Sequence, residues 1–193
     1  MSRADKVTDA TGLAKIILTL RYHEQSRQWF AVLFVLLVSL LGSYQPTLFI
    51  IGSIVASVGI AVRMWASGYV MKNKELATSG PYALVRHPLY VGNILLLVGF
   101  SIASNLMWSY ALMIALLLFY YPPTISYEDN KLRGIFGDEW VAWSKNINAL
   151  IPTFGSKAGS VKSTWSFKKS LMTNAEPLIV IYLIGCLYLL YTN

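Results

Sequence analysis

The sequence predicts an all-α integral membrane protein with about five transmembrane helices, and three observations predict it. Apolar residues make up 55% of the 193-residue chain and charged residues only 13%, where an average soluble domain is about a quarter charged. Four stretches, roughly 29–45, 46–62, 88–121 and 177–192, are almost free of charge, and the third is long enough to cross twice, with a polar break at Ser104-Asn105. The 16 Lys and Arg residues all fall between those stretches: five in 1–28, four in 63–87 and seven in 122–176. The turns near Ser43–Gln45 and Ser104–Asn105 and the tail Thr192-Asn193 carry none. The positive-inside rule then places the N-terminus and both long segments in the cytoplasm and the C-terminus outside, in a cell inner membrane or an equivalent endomembrane.

Residues 1–28 read as a cytoplasmic amphipathic segment, with Leu13, Ile16, Ile17 and Leu20 at helical spacing for a helix lying on the inner surface. The first apolar run begins only after residue 28 and no A-x-A-like site follows it, which does not read as a cleavable signal. A membrane core is expected over 29–152, opening with a hairpin through "GSYQP". Its crossings are 15 to 17 residues long, short of the roughly 20 that a hydrocarbon core asks for, with flanking aromatics and snorkelling Lys or Arg making up part of the difference. Arg63, at the end of the second crossing, reads as such a snorkelling terminator.

A second helical hairpin is expected over 88–121, ended sharply by Pro122-Pro123. Beyond it Leu132, Ile135, Phe136, Trp140, Trp143 and Ile147 recur every three or four residues. They predict an interfacial helix interrupted near Gly137, with the two Trp as membrane anchors. Residues 153–176 read as a cytoplasmic tether and 177–193 as a C-terminal transmembrane helix. Cys186 stands alone and offers neither disulfide nor metal site, and His23-Glu24 has no second ligand set. The net charge of +7 is what cytoplasmic loops beside an anionic leaflet carry, so membrane lipids account for it and no nucleic acid is implied.

Chemistry concentrates in two places. In "SGPYALVRHPLYVGN", residues 79–93, Pro88 suits the first turn of a helix, and Arg86 and His87 immediately precede it. A helix N-terminus favours anions, and the aromatic face of Tyr90 suits a cation or an adenine ring. The alternative is purely interfacial: Arg86 on lipid phosphate, His87 as a cap, Tyr90 as an anchor. The second place is Glu128-Asp129, a carboxylate pair suited to a ribose hydroxyl, an amino group or a cationic centre, or else to an ion pair with Lys131 or Arg133. No Walker loop, G-x-G-x-x-G, G-x-S-x-G or H-E-x-x-H pattern is present, and no alternating βα pattern exists to host a glycine-rich cofactor turn.

"TSGPYALVRHPLYVGN" resembles the G-P-Y-x-x-x-R-H-P-x-Y-x-G signature of the integral-membrane methyltransferases, the isoprenylcysteine carboxyl methyltransferases and phospholipid N-methyltransferases. Glu128-Asp129-x-x-Leu132, Phe136-Gly137, Trp140, Trp143, Ile147 and Ile151-Pro152 resemble that family's E-E-x-x-L…F-G-x-x-Y-x-x-Y…I-P tract, with Asp for the second Glu and Trp for both Tyr. The likeness spans about residues 59–152. It implies an S-adenosyl-L-methionine-dependent enzyme with its pocket at the cytoplasmic face and a lipophilic substrate entering from the bilayer. That substrate is a prenylcysteine-like carboxylate, a phospholipid amine or a hydrophobic thiol. Carried over, Tyr82, His87, Pro88, Tyr90 and Glu128 line the cofactor pocket and Gly92 permits close approach. Arg86 and Glu128 are the expected catalytic pair: Arg86 reads a carboxylate of cofactor or substrate, and Glu128 anchors the ribose or amino group. The rival readings are a membrane reductase related to sterol reductases and a non-catalytic scaffold.

Overall fold

A computed structural model describes residues 11–22, 24–70, 75–154, 164–172 and 175–193. His23, Lys72, Lys74, the first ten residues and part of the expected tether (155–163 and 173–174) fall outside the described residues, as does the Ile16 side chain. The described residues are all-helical. The order is α1 (Gly12–Tyr22), α2 (Glu24–Leu41), α3 (Pro46–Ser67), a 3-10 turn (Gly80–Ala83), α4 (Pro88–Ala103), α5 (Met107–Ser144), α6 (Phe167–Met172) and α7 (Glu176–Thr192).

Helix α3 starts where local chemistry says it should. Pro46 takes the first helical position, and the Gln45 side chain accepts a hydrogen bond from the Leu48 amide at 2.6 Å, satisfying a donor that has no partner inside the helix. Pro88 opens α4 in the same way. Two helices, α3 and α5, are long and apolar enough to cross a membrane, while Ser26–Leu41, Pro88–Ala103 and Glu176–Thr192 are apolar but shorter. Ile50, Ile54, Val58, Leu118, Leu178 and Ile184 are all exposed on these helices, an outward apolar surface suited to lipid. On α1, Leu13 is 72% exposed and Ile17 and Leu20 share its uncovered face, as an interfacial helix requires.

The tightest contact is the α3–α4 seam. A Cβ on Gly52 would lie 2.4 Å from the Gly99 carbonyl oxygen, and one on Gly59 would lie 2.8 Å from that of Gly92. Only residues without a side chain let two backbones approach this closely, the small-residue packing of helices in lipid. Phe34, Ala56, Phe100, Met113 and Leu183 bring α2, α3, α4, α5 and α7 into one buried core.

The two charge-free turns and the C-terminal tail meet at one end of the bundle. The Ser43 amide donates to the Ser104 carbonyl at 3.1 Å, Asn193 Nδ2 donates to the Ser39 carbonyl at 2.9 Å, and Tyr44 packs edge-on against Tyr191.

Four expectations need correcting. Pro122-Pro123 does not end the second hairpin: α5 runs through both to Ser144. A proline at 123 leaves the Phe119 carbonyl without its helical partner, and Arg21 Nε from α1 supplies one at 3.1 Å. The interruption expected near Gly137 is present, with a φ of 54° and ψ of −125° that are non-helical and accessible to glycine. Arg63 does not snorkel; it is buried and ion-paired, as described below. Trp143 is no interfacial anchor, because it is buried with Ala66, Leu76, Tyr82 and Ile147. Part of the expected tether is also packed: the Ser166 amide donates to the Gly68 carbonyl at 3.1 Å, and Ser170 Oγ donates to the Met64 carbonyl at 2.6 Å.

Candidate functional site

The segment leading into α4 is held by backbone pairing with the end of the second motif. The Arg86 and His87 amides donate to the Asn148 and Ala149 carbonyls at 2.8 and 3.0 Å, and the Thr153 amide donates to the Leu84 carbonyl at 2.8 Å. These bonds satisfy an irregular segment between two prolines, and they fix the direction in which Arg86 and His87 leave the backbone.

Both side chains then turn to α5. Arg86 donates to Asp129 Oδ2 at 2.9 Å and to the Ile147 and Ser144 carbonyls at 2.8 and 3.3 Å. His87 Nε2 lies 2.9 Å from Asp129 Oδ1, and Nδ1 lies 3.6 Å from Glu128 Oε2. His87 occupies the position before the first turn of α4 without capping it through its side chain. Asp129 takes partners from the first motif rather than Lys131 or Arg133 beside it.

Imidazole with a carboxylate at each nitrogen is best satisfied doubly protonated, since only the cation donates from both. Burial pulls the His87 pKa down, but hydrogen bonds and charge from Asp129 and Glu128 outweigh it, and the net shift is upward from 6.5. Glu128 and Asp129 lie beyond the apolar half of α5. Burial pushes their carboxyls up, but the hydrogen bond from His87 leads the effects that bring each below its ordinary 4.5 and 3.8.

The sign of the linkage follows. The His87 contribution is complete below pH 6.5 and is lost as pH rises through its raised folded value. The carboxylate contribution is complete above their ordinary values and is lost as pH falls through the lowered ones. The melting temperature of the wild type relative to His87→Ala should therefore be flat between pH 4.5 and 6.5 and decline on both sides. A difference that stays constant from acid to alkaline pH would show that the cluster is not ionic.

Tyr90, one turn into α4, stacks on His87 with ring centroids 5.3 Å apart and 15° between planes. Its hydroxyl accepts from Arg27 of α2 at 3.1 Å and also hydrogen-bonds Glu128, while the Arg27 guanidinium sits 4.8 Å from the ring centroid.

A cavity of about 960 Å³ opens on this cluster, and Tyr82, Arg86, His87, Pro88, Tyr90 and Glu128 all line it. Six of the seven expected site residues thus come together. Gly92 does not line the cavity; a Cβ there would lie 2.5 Å from Arg63 Cγ and 2.8 Å from the Gly59 carbonyl, so the close approach it permits is to α3. Arg86 Nε and Trp143 Nε1 are buried without a partner on this lining, unspent donors at the edge of an open space.

Sequence reasoning missed Arg27, Arg63, Asn93 and the double role of Asp129. Asn93 closes the quoted motif, which was a signal; Arg27 sits 63 residues from Tyr90 and had none.

Residues 44–139, just under half of the chain, match the family model described as phospholipid methyltransferase. That segment is similar to this family of membrane methyltransferases, the one the chain's two motifs resemble. Relatives include the cobalt-zinc-cadmium resistance protein CzcN of Cupriavidus metallidurans, 32% identical over 63% of this chain and 56% of that protein. The nickel-cobalt-cadmium resistance protein NccN of Alcaligenes xylosoxydans xylosoxydans is 31% identical over 65% of this chain and 59% of its own length. The chain thus spans less than two thirds of these curated relatives. No solved structure matches it.

Proposed function

We propose that this protein transfers a methyl group from S-adenosyl-L-methionine to a lipid or lipophilic small molecule at the cytoplasmic face of a membrane that it crosses five times. The observation that carries the reading is the shared cavity: one chamber lined by residues of both motifs at a charged end and by Val35, Leu96, Leu97 and Leu183 at an apolar end. A cofactor that is part nucleoside and part amino acid, beside a greasy acceptor, suits a chamber graded from ionic to apolar.

The lining fits that cofactor on its own chemistry. Glu128 is a carboxylate, 37% exposed, suited to a ribose hydroxyl or an ammonium group. Tyr82, Tyr90 and Trp143 supply aromatic walls, and the unpaired Arg86 Nε–H and Trp143 Nε1–H supply donors for a carboxylate or a ring nitrogen. When bound, the cofactor supplies an electrophilic methyl on a sulfonium, whose transfer is an in-line displacement governed by alignment.

Glu128 orients the bound ligand. Arg86 is a positioning residue through its committed amines, with Nε left to read a carboxylate. His87 holds a proton between Asp129 and Glu128 and keeps the two motifs together. Burial of an amine acceptor favours its neutral, nucleophilic form. The names of the relatives bring to this proposal a setting of metal resistance.

Calorimetric titration of the purified protein with S-adenosylhomocysteine should give saturable binding. Tyr90→Ala and Glu128→Ala, each confirmed folded, should weaken it by about tenfold or more, the loss of one charge-assisted or aromatic contact. Absence of saturable binding in detergent and in nanodiscs would sink the reading, and binding of NADPH in its place would favour a reductase.

A further inference from the structure

The apolar end of the cavity has a wall that the family segment 44–139 does not contain. Ala175, at the start of α7, and Ile179, Tyr182 and Leu183 within it all line the cavity. Their spacing puts them on one helical face, and at 1.5 Å per residue they extend about 12 Å down from the start of the helix. The other face of the same helix looks outward, with Ile181 67% exposed and Leu178 and Ile184 similarly uncovered.

Position along the cavity is set by a buried ion pair. Glu176, in the first turn of α7, accepts from Arg63 Nε at 3.1 Å, from Arg63 Nη2 at 2.8 Å and from Ser67 Oγ at 2.9 Å. The remaining Arg63 amine binds Asn93 Oδ1, and Arg63 and Asn93 themselves line the cavity. The wall is therefore registered against the motif that carries His87 and Tyr90. Farther along, Tyr182 donates from its hydroxyl to the Val32 carbonyl of α2 at 2.6 Å.

We infer that the inner face of α7 receives the hydrocarbon tail of the methyl acceptor, and that Ile179 and Leu183 determine which tails are accepted. The ionic end of the cavity holds a headgroup next to the transferable methyl. The apolar end, lined from α2, α4 and α7 by Val35, Leu96, Leu97, Ile179 and Leu183, continues that chamber without charge, and a tail is the part of a lipophilic acceptor that needs it. The identity of the occupant as a methyl acceptor rests on the proposed function; the presence of a tail in the channel does not.

The two can be separated in one experiment. A lysophospholipid carrying a diazirine at the end of its chain is irradiated with the protein in nanodiscs, and the labelled residues are mapped by mass spectrometry. S-adenosylhomocysteine binding is measured on the same samples. Labelling is expected at Ile179 and Leu183 in addition to the outward face. Leu183→Trp should cut the inner labelling about tenfold, the scale of discrimination an apolar pocket reaches, while Ile181→Trp on the outward face leaves it unchanged. If Leu183→Trp does not fold, Leu183→Ala should increase inner labelling.

Labelling confined to the outward face, or insensitive to both Leu183 substitutions, overturns the inference even when S-adenosylhomocysteine binds. Inner labelling that responds to Leu183 without any S-adenosylhomocysteine binding upholds the tail channel and defeats the methyltransferase reading.

Discussion

Glu176→Ala is expected to lower the unfolding free energy by about 3–5 kcal/mol, the cost of leaving one member of a buried ion pair without its partner. The Arg63 and Glu176 side chains are 10% and 1% exposed, so both charges are largely withdrawn from bulk water. The pair is bidentate, which makes it directional as well as charged. A carboxylate in the first turn of α7 also lies where the helix dipole favours it. Thermal unfolding in detergent, followed by intrinsic fluorescence, reads the effect. The combined Arg63→Met and Glu176→Leu protein should recover most of the loss, since apolar residues of similar volume remove the desolvation cost with the attraction. A single Glu176→Ala protein that melts with the wild type would mean the pair contributes nothing to holding α7.

Gly99→Val is the second large effect, and its origin is steric rather than electrostatic. A Cβ at Gly99 would stand 2.6 Å from both the Ala56 amide nitrogen and the Gly52 carbonyl oxygen. Those are backbone atoms of α3 and have no rotamer to yield, so the helices must separate. Overpacking of this kind costs about 3 kcal/mol, and α4 carries Pro88 and Tyr90 with it. Reduced recovery of monodisperse protein and a lower melting temperature are expected. Gly185→Ala is the matched control: nothing lies within 4 Å of a Cβ there, and alanine is the better helix former by roughly 0.5–1 kcal/mol. Equal melting of the two variants would remove the seam from the account of stability.

What could be read in the sequence was what short-range pattern encodes. Charge-free runs marked the helices, Ser104-Asn105 marked the turn between α4 and α5, and Gly137 marked the break near the end of α5. Two ordered motifs marked residues that do meet, with His87 between Glu128 and Asp129. What could not be read depends on partners distant in sequence. Arg63 looked like a helix-end cation because its carboxylate lies 113 residues away. Pro122-Pro123 looked like a stop because the arginine that satisfies Phe119 belongs to α1, 98 residues earlier. Trp143 carried the same residue type as an interfacial anchor, and only packing against Tyr82 and Leu76 distinguishes it.

The latch of Arg27 on Tyr90 has a practical corollary for anyone trimming or recombining this protein. Arg27 and the inner face of α7 both lie outside residues 44–139, yet both border the chamber that the two motifs share. A fragment cut to the family boundaries would keep Arg86, His87, Tyr90, Glu128 and Asp129 but lose Trp143 and two sides of the vessel. Conversely, chimeras that keep 44–139 and exchange the flanking helices for those of a relative offer a modular route to new substrate ranges, because the reactive end and the sorting end are encoded in different stretches of the chain.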